Sequence, residues 1–172
     1  MEVRVNKIMD EYLQILGYDF WENSVVITEG ITRLTKCKFL DGKDLIILNS
    51  FGQHIPAILN ENAVDKCEFE NFENRICIAD YVSYKKNHDD FYFLSLGLEF
   101  TKIIAKRLQK EFPERSFRLK LSFGKIEDTD ICEYGNCNVS FYTIRDDAEH
   151  IYRIDDLNNF KNEGLLEIDI KN

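Results

Sequence analysis

The stretch from Asp89 to Arg145 constrains the fold most strongly, because it holds a long helical pattern, a Phe-Pro stop and two strand patterns. Apolar residues recur there at intervals of three and four, which predicts a helix with one buried face and Asp89 or Asp90 as its N-cap. Pro113 disfavours a helical conformation at Phe112, so the helix should end there. The predicted buried face consists of Leu94, Leu98, Thr101, Ala105, Leu108 and Phe112.

Two strand patterns follow this helix. In each of them apolar and polar residues alternate with a period of two, as they do in half-buried strands. Each strand should therefore have one apolar and one polar face, and the apolar faces should pack against the helix. The patterns span Phe117–Phe123 and Val139–Ile144.

Weaker patterns predict the remaining elements. A helical stripe that Gly17 can end in the left-handed conformation indicates a first helix. The Asp41-Gly42 pair indicates a hairpin turn between two strand patterns. The predicted elements are a helix from Val3 to Leu16, strands at Ser24–Thr28, Arg33–Leu40 and Asp44–Asn49, a short helix over 55–66 and a central strand within Arg75–Tyr84.

Together these elements predict an α+β fold, in which an N-terminal helix and a long central helix pack on an antiparallel sheet. The 172 residues, of which 44% are hydrophobic, suit a single domain spanning 1–172. There is no regular βαβ alternation and no glycine-rich turn from strand to helix. The sequence therefore argues against a doubly wound nucleotide-binding fold.

The negative charge is concentrated near the end of the sequence. The formal net charge is −9, and residues 126–169 hold twelve carboxylates but only three cations. Such clusters are typical of solvated loops, but they can also form an anionic face that attracts a basic partner. The candidate partner-binding residues are Glu127, Asp128, Asp130, Glu133, Asp146, Asp147, Glu149, Asp155 and Asp156.

The N-terminal pattern is amphipathic rather than continuously apolar, so it does not resemble a secretion signal, and no apolar run reaches membrane-spanning length. We therefore expect a soluble cytoplasmic protein with no membrane partner and with five reduced cysteines. Cys37 and Cys77 lie in apolar patterns and should be buried. Cys67 lies among polar residues and should be the most exposed thiol.

No catalytic, cofactor or metal motif is complete in this sequence, so we assign no catalytic, cofactor-binding or metal-binding residue and expect no cofactor. Cys132 and Cys137 could provide half of a zinc site, but tetrahedral zinc needs four ligands. His54 follows a predicted strand, where a catalytic base is plausible, so an enzyme with a Cys/His pocket near His54 is one alternative. His88 and His150 lie in charged stretches and should be solvated.

Basic residues on the predicted central helix raise a second alternative, a nucleic-acid binder. Lys102, Lys106 and Lys110 step by four and should face solvent. Alternating charges in a small acidic domain more often form internal ion pairs, and the acidic segment would repel phosphate, so nucleic acid is an unlikely partner. The basic stripe would comprise Lys102, Lys106, Arg107, Lys110, Arg115, Arg118 and Lys120.

The segment Ala105-Lys-Arg-Leu-Gln-Lys-Glu-Phe-Pro-Glu-Arg-Ser-Phe-Arg-Leu-Lys-Leu-Ser-Phe, followed by Asn138-Val-Ser-Phe-Tyr-Thr-Ile-Arg145, resembles small bacterial immunity-like proteins of polymorphic toxin systems. The resemblance covers the helix, the Phe-Pro stop and the two strands, and it carries no site residues. The small size, the lack of a catalytic or cofactor motif, the lack of an export signal and the concentrated acidity indicate a noncatalytic, cytosolic protein-binding module, and the resemblance adds the connection to toxins. We therefore expect an immunity or antitoxin-like inhibitor whose partner is a protein, such as a basic toxin domain.

Overall fold

A computed structural model describes residues 1–42, 44–50, 65–83, 91–124, 136–145 and 153–171. Its α-helices are α1 (Lys7–Leu16), α2 (Glu29–Thr35), α3 (Lys66–Glu73) and α4 (Tyr92–Glu111). Its strands are β1 (Glu2–Val5), β2 (Phe39–Gly42), β3 (Leu45–Leu48), β4 (Ile76–Cys77), β5 (Phe117–Gly124), β6 (Asn136–Thr143) and β7 (Gly164–Ile170). Ile78–Tyr81 and Leu157–Asn159 form short 3-10 turns. The predicted α+β class is confirmed.

Within the described residues, five strands form one sheet in the order β1-β7-β5-β6-β4, and β2 and β3 form a separate hairpin. Every neighbouring pair is antiparallel. Leu119 of β5 lies opposite Phe141 of β6 and Ile168 of β7. This register puts the apolar side chains of three adjacent strands on one face and leaves their polar neighbours on the other.

Helix α4 packs on the apolar face of the sheet. Its predicted stripe is buried from Leu94 to Leu108, and Phe112 is partly buried against the same core. The helix ends at Glu111, before Pro113, as predicted. A Cβ atom at Gly97 would lie 2.3 Å from Sγ of Cys137 on β6, so only glycine allows this close approach of helix and sheet. The predicted N-caps, Asp89 and Asp90, lie outside the described residues.

The predicted first helix was too long. Val3 and Val5 belong to β1, and α1 begins only after Asn6, whose side chain accepts a hydrogen bond from the Met9 amide at 2.9 Å. The alternation of the two valines is a strand pattern that the adjoining helical stripe obscured. Gly17 does end the helix, with φ at 58°.

The hairpin prediction is confirmed, but the boundaries around it change. Ser24–Thr28 is not a strand, because Thr28 instead caps α2, which takes up the first residues of the predicted strand Arg33–Leu40. Gly42 pairs with Leu45, so the turn lies after Asp41-Gly42 rather than at it. Asp44 has φ at 62°, as a residue in such a tight turn can.

Two strands of the main sheet, β4 and β7, differ from the prediction. The apolar run within Arg75–Tyr84 gives only the two-residue edge strand β4 and then a 3-10 turn, so it is not a central strand. One of the inner strands, β7, was not predicted, although all its residues are buried. Residues 55–64 of the predicted short helix lie outside the described residues.

Side chains of α3 join the hairpin to the main sheet. The buried Glu70 carboxylate accepts hydrogen bonds from the amides of Ile46 at 2.7 Å and Thr143 at 2.8 Å. Asn74, one helical turn later, accepts from the Leu48 amide at 2.8 Å and donates to the carbonyl of Ile46 at 2.9 Å and that of Phe141 at 3.1 Å. These contacts pair main-chain groups of β3 and β6 that would otherwise be buried without partners.

We expect Glu70→Ala to lower the free energy of unfolding by about 3–5 kcal/mol, because it leaves the Ile46 and Thr143 amides and the Arg145 guanidinium without their shared acceptor. Urea denaturation measures the loss. Glu68→Ala, at an exposed position on the same helix, is the matched control and should change stability by less than about 0.5 kcal/mol. Equal losses in the two variants would refute the bridging role of Glu70.

Candidate functional site

The structure places only part of the predicted acidic face. Asp155 and Asp156 are both exposed, and Asp156 accepts a hydrogen bond from the Asn158 amide at 2.9 Å at the start of the second 3-10 turn. The other candidate residues lie outside the described residues: Glu127, Asp128, Asp130, Glu133, Asp146, Asp147 and Glu149.

The predicted solvent-facing lysine row is wrong at its first member. Lys102 is buried, with its amine 2.8 Å from the Glu99 carboxylate and donating to the carbonyl of Asn23. This pair holds the segment after α1 against α4, and no periodic pattern predicts such a contact. Lys106 and Lys110 are exposed, as predicted.

Other members of the predicted basic stripe are also engaged. Arg107 donates to the carbonyls of Thr35 and Cys37 at 2.6 and 2.9 Å, and its guanidinium lies 4.5 Å from the centre of the Phe39 ring. Arg115 forms ion pairs with Asp41 at 3.2 Å and Asp44 at 3.5 Å, and Arg118 is fully buried. Across the described part of the chain, the stripe is therefore divided by contacts within the protein.

The thiol predictions need correction at Cys67, which was expected to be exposed. Cys67 is 2% exposed at the start of α3, and Cys137 is completely buried on β6. Burial raises the pKa of both thiols, although for Cys67 the neighbouring Arg145 partly opposes the rise. Cys37 and Cys77 are only half-buried, whereas the sequence indicated burial. Buried thiols with raised pKa values are poor nucleophiles.

The remaining candidates for chemistry are outside the described residues: Cys132, His54, His88 and His150. Among the residues that are described, no group of three or more His, Cys, Asp or Glu side chains could hold a metal ion. None of the described helices is long and apolar enough to cross a membrane.

The face of the main sheet opposite α4 was predicted to be a simple polar face. It carries a buried network of charged side chains instead. Arg118 on β5 meets Asp169 on β7 in a two-pronged ion pair, at 2.6 and 2.8 Å. Glu167, two residues before Asp169, lies 3.5 Å from Arg4 and 3.6 Å from Arg118. Both of its carboxylate oxygens are buried, and neither accepts a hydrogen bond within the described structure.

The protonation behaviour of this network reflects its burial. Burial raises the pKa of Glu167, and the positive charges of Arg118 and Arg4 only partly oppose that rise. Burial lowers the pKa of Lys120, which is cross-strand from Glu167, and raises the pKa of Tyr142 to about 12. Perturbed pKa values grouped on one face mark a candidate functional region, although structural ion networks produce them too.

A cleft of about 530 Å³ opens at one end of the same face. Ser122 and Asn138, which lie opposite each other on β5 and β6, line it together with Arg75. Residues 159–163 also line the cleft. The buried Asn6 amide fixes this segment by donating to the carbonyls of Phe160 at 3.2 Å and Glu163 at 2.8 Å.

A second cleft, of about 700 Å³, lies between α2 and the first 3-10 turn. Its lining includes Cys37, Ser50 and Tyr81. A Cβ atom at Gly30 would lie 2.1 Å from the carbonyl oxygen of Tyr81, so glycine is required where the two elements touch. Ser50 lies four positions before His54 in the sequence, and His54 itself is outside the described residues.

Comparison with known families gives one match, which covers nearly the whole chain. The model of the Uncharacterized protein PM0498 family matches residues 4–172. No curated protein and no solved structure was found to match. The match shows that the chain is related to this family, and the family description states no activity.

We expect Asp169→Asn to lower the free energy of unfolding by about 3–5 kcal/mol, because the guanidinium of Arg118 stays buried without its negatively charged partner and one of its two acceptor oxygens becomes an NH₂ donor. Glu167→Gln should instead raise the free energy of unfolding at pH values above the pKa of Glu167, because a pKa raised by burial means that folding disfavours the charged carboxylate. This gain should shrink as pH falls through the raised pKa, since the wild-type carboxyl then binds a proton. Denaturation at several pH values tests this, and a loss of stability in Glu167→Gln at the highest pH would refute it.

In a Cys132→Ser background, we expect iodoacetamide to modify Cys37 and Cys77 in the folded protein, because both thiols are partly accessible. Cys67 and Cys137 should react only on unfolding, because burial blocks access and raises their pKa values. Peptide mass mapping with and without denaturant identifies the modified sites. Rapid labelling of Cys137 in the folded protein would contradict its placement on β6.

Proposed function

We propose that the chain, which belongs to the Uncharacterized protein PM0498 family, is a noncatalytic cytosolic protein-binding module that acts as an immunity or antitoxin-like inhibitor. Its proposed partner is a basic protein, such as a toxin domain. The observation that carries the proposal is the concentration of acidity over residues 126–169, of which Asp155 and Asp156 are exposed, whereas Glu167 and Asp169 are buried in the sheet. The inhibitor role rests on the resemblance of the segment from Ala105 to Arg145.

The ion pairs within the protein support the proposal that the partner is basic. Several described cations are engaged within the protein: Lys102 with Glu99, Arg118 with Asp169, and Arg145 with Glu70 at 2.9 Å. Neither Asp155 nor Asp156 forms an ion pair within the described part of the chain. Negative charge is thus left on the surface, where it accelerates encounters with a positively charged protein.

A second candidate function is an enzyme that uses a Cys/His pocket. The cleft of about 700 Å³ favours it, because Cys37 lines this cleft and Ser50 lies four positions before His54. A thiol in a cleft needs a neighbouring base to act as a nucleophile. Cys37→Ser and His54→Ala distinguish the two functions, since neither change should weaken binding of a basic partner through the acidic surface.

Nucleic-acid binding through α4 is less well supported. Lys106 and Lys110 are exposed, but Lys102, Arg107 and Arg118 contact other groups of the protein. A continuous stripe that could follow a phosphate backbone is therefore lacking among the described residues.

The proposal is tested on a partner captured by the tagged protein from the cells that make it, then purified. Reversing Asp146, Asp147 and Glu149 to lysine should slow association roughly ten-fold at low salt, because long-range attraction is lost. Stopped-flow or surface-based kinetics measure the rate, which for wild type should fall as salt rises while dissociation changes less.

The matched control reverses three exposed acids elsewhere, Glu22, Glu68 and Glu114, and changes the net charge by the same amount. Association should fall less in this control than in the test variant. Equal rates for wild type and the test variant, with unchanged salt dependence, would show that the acidic segment only maintains solubility.

A further inference from the structure

We propose that the outer face of α3 is a contact surface for a basic protein segment, whose apolar side chains cover Phe72 and whose lysine or arginine side chains pair with the acids beside that ring. This surface lies outside residues 126–169, so the inference goes beyond the proposed function. We call it the α3 face, and it consists of Asp65, Glu68, Phe69, Phe72 and Glu73.

Helical spacing separates the α3 face from the side of the helix that packs on the protein. The buried residues Cys67, Glu70 and Asn74 make hydrogen bonds to β3, β6 or both. Since an α-helix has about 3.6 residues per turn, the α3 face lies on the opposite side. Glu68 and Phe72 are four residues apart, which places their Cβ atoms about 5–6 Å from each other. The helix itself therefore sets an acidic side chain beside the ring.

Both phenylalanines of α3 lie outside the hydrophobic core. Phe72 is 73% exposed, although phenylalanine is usually buried in a folded protein. Phe69 is half-buried, but within the described residues it is not part of the core or packed against it. The two residues are three apart and thus neighbours on the helix surface. They form an apolar centre from which a partner can displace water.

The charge of the α3 face is negative. Across the described part of the chain, neither Glu68 nor Glu73 forms an ion pair. Lys66 of the same helix is engaged by Asp44 at 3.3 Å. Arg75 is exposed, but it follows the end of the helix. A cation of the partner is therefore best accommodated beside Glu68, away from Arg75.

This charge decides which molecule can cover the rings. A second copy of the chain has a net charge of −9, and pairing the α3 face with itself would set carboxylates against carboxylates. Nucleic acids and anionic lipid surfaces carry phosphates, which the same acids repel. A basic segment suits both features, because the carbon chain of a lysine or arginine can lie on the Phe72 ring while its charge reaches Glu68.

The test uses three synthetic peptides of roughly 14 residues, or four helical turns. The first has leucines along one side of a helix and lysines on the other. The second has glutamates in place of the lysines, and the third has the composition of the first with its leucines spread around the helix. Wild type should bind the first peptide most tightly in isothermal titration, because only that peptide combines an apolar side with positive charge.

Two variants test the residues of the α3 face. Phe72→Ala should weaken binding of the first peptide about five- to ten-fold, as expected when an aromatic anchor of an interface is lost. Glu68→Lys should weaken it about three-fold, as expected for an exposed charge pair. Both side chains are exposed, so circular dichroism should show that the variants fold like wild type.

Each variant has a matched control. Ile15→Ala removes an apolar side chain that is 68% exposed on α1 and should leave the affinity unchanged. Glu22→Lys changes the net charge as Glu68→Lys does, and it should weaken binding less. Because Glu68 is also reversed in the control for the acidic segment, that comparison concerns association rates, whereas the α3 face is tested by equilibrium affinity.

Amide NMR shifts on addition of the first peptide should include residues 66–75. An affinity of Phe72→Ala equal to that of wild type would overturn the inference, as would an equal loss in Ile15→Ala or equal binding of the second peptide. Sedimentation of the wild type as a dimer that Phe72→Ala dissociates would also overturn it, in favour of a second copy. The proposed function fails separately, if no basic protein binds through the acidic segment.

Discussion

The carboxylate of Glu70 is the contact on which the assembly of the two sheets depends. β3 and β6 belong to different sheets, and their facing main-chain groups are bridged by side chains of α3 instead of by each other. A helix can do this because residues four apart, here Glu70 and Asn74, point from the same side. The hairpin, α3 and the main sheet are consequently one unit, and the position of α3 determines where the hairpin packs.

The main sheet is unusual in having charge buried on the face opposite α4. Burying ions costs free energy, and replacing them by apolar side chains often costs nothing, so stability alone does not explain the network. Register offers a physical reason. A shift of one residue between β5 and β7 would turn Arg118 toward the apolar core and separate it from Asp169. The network therefore penalises a one-residue shift of these central strands.

The sequence predicted correctly those elements whose apolar residues, as spaced in the pattern, are the residues buried in the structure. α4, β5 and β6 have clear periodicity, and their apolar faces are the buried ones, while the Asp41-Gly42 pair indicated the hairpin. β7 was missed because Glu167 and Asp169 make it look like part of a solvated acidic segment, whereas partners distant in sequence allow their burial. The exposure of Phe160 could not be predicted either, because a single aromatic residue among asparagines has no periodicity.

The position of β7 also determines when the strands of the main sheet can pair during synthesis. β1 and β5 both pair with β7, and Glu2 lies opposite Asp169, so the sheet joins residues from nearly opposite ends of the sequence. During synthesis, these two strands emerge long before the strand that separates them. Until residues 164–170 arrive, each has an unpaired edge that can associate with another chain. Completion of the main sheet therefore depends on residues 164–170 and on pairing between residues distant in sequence, which is slow.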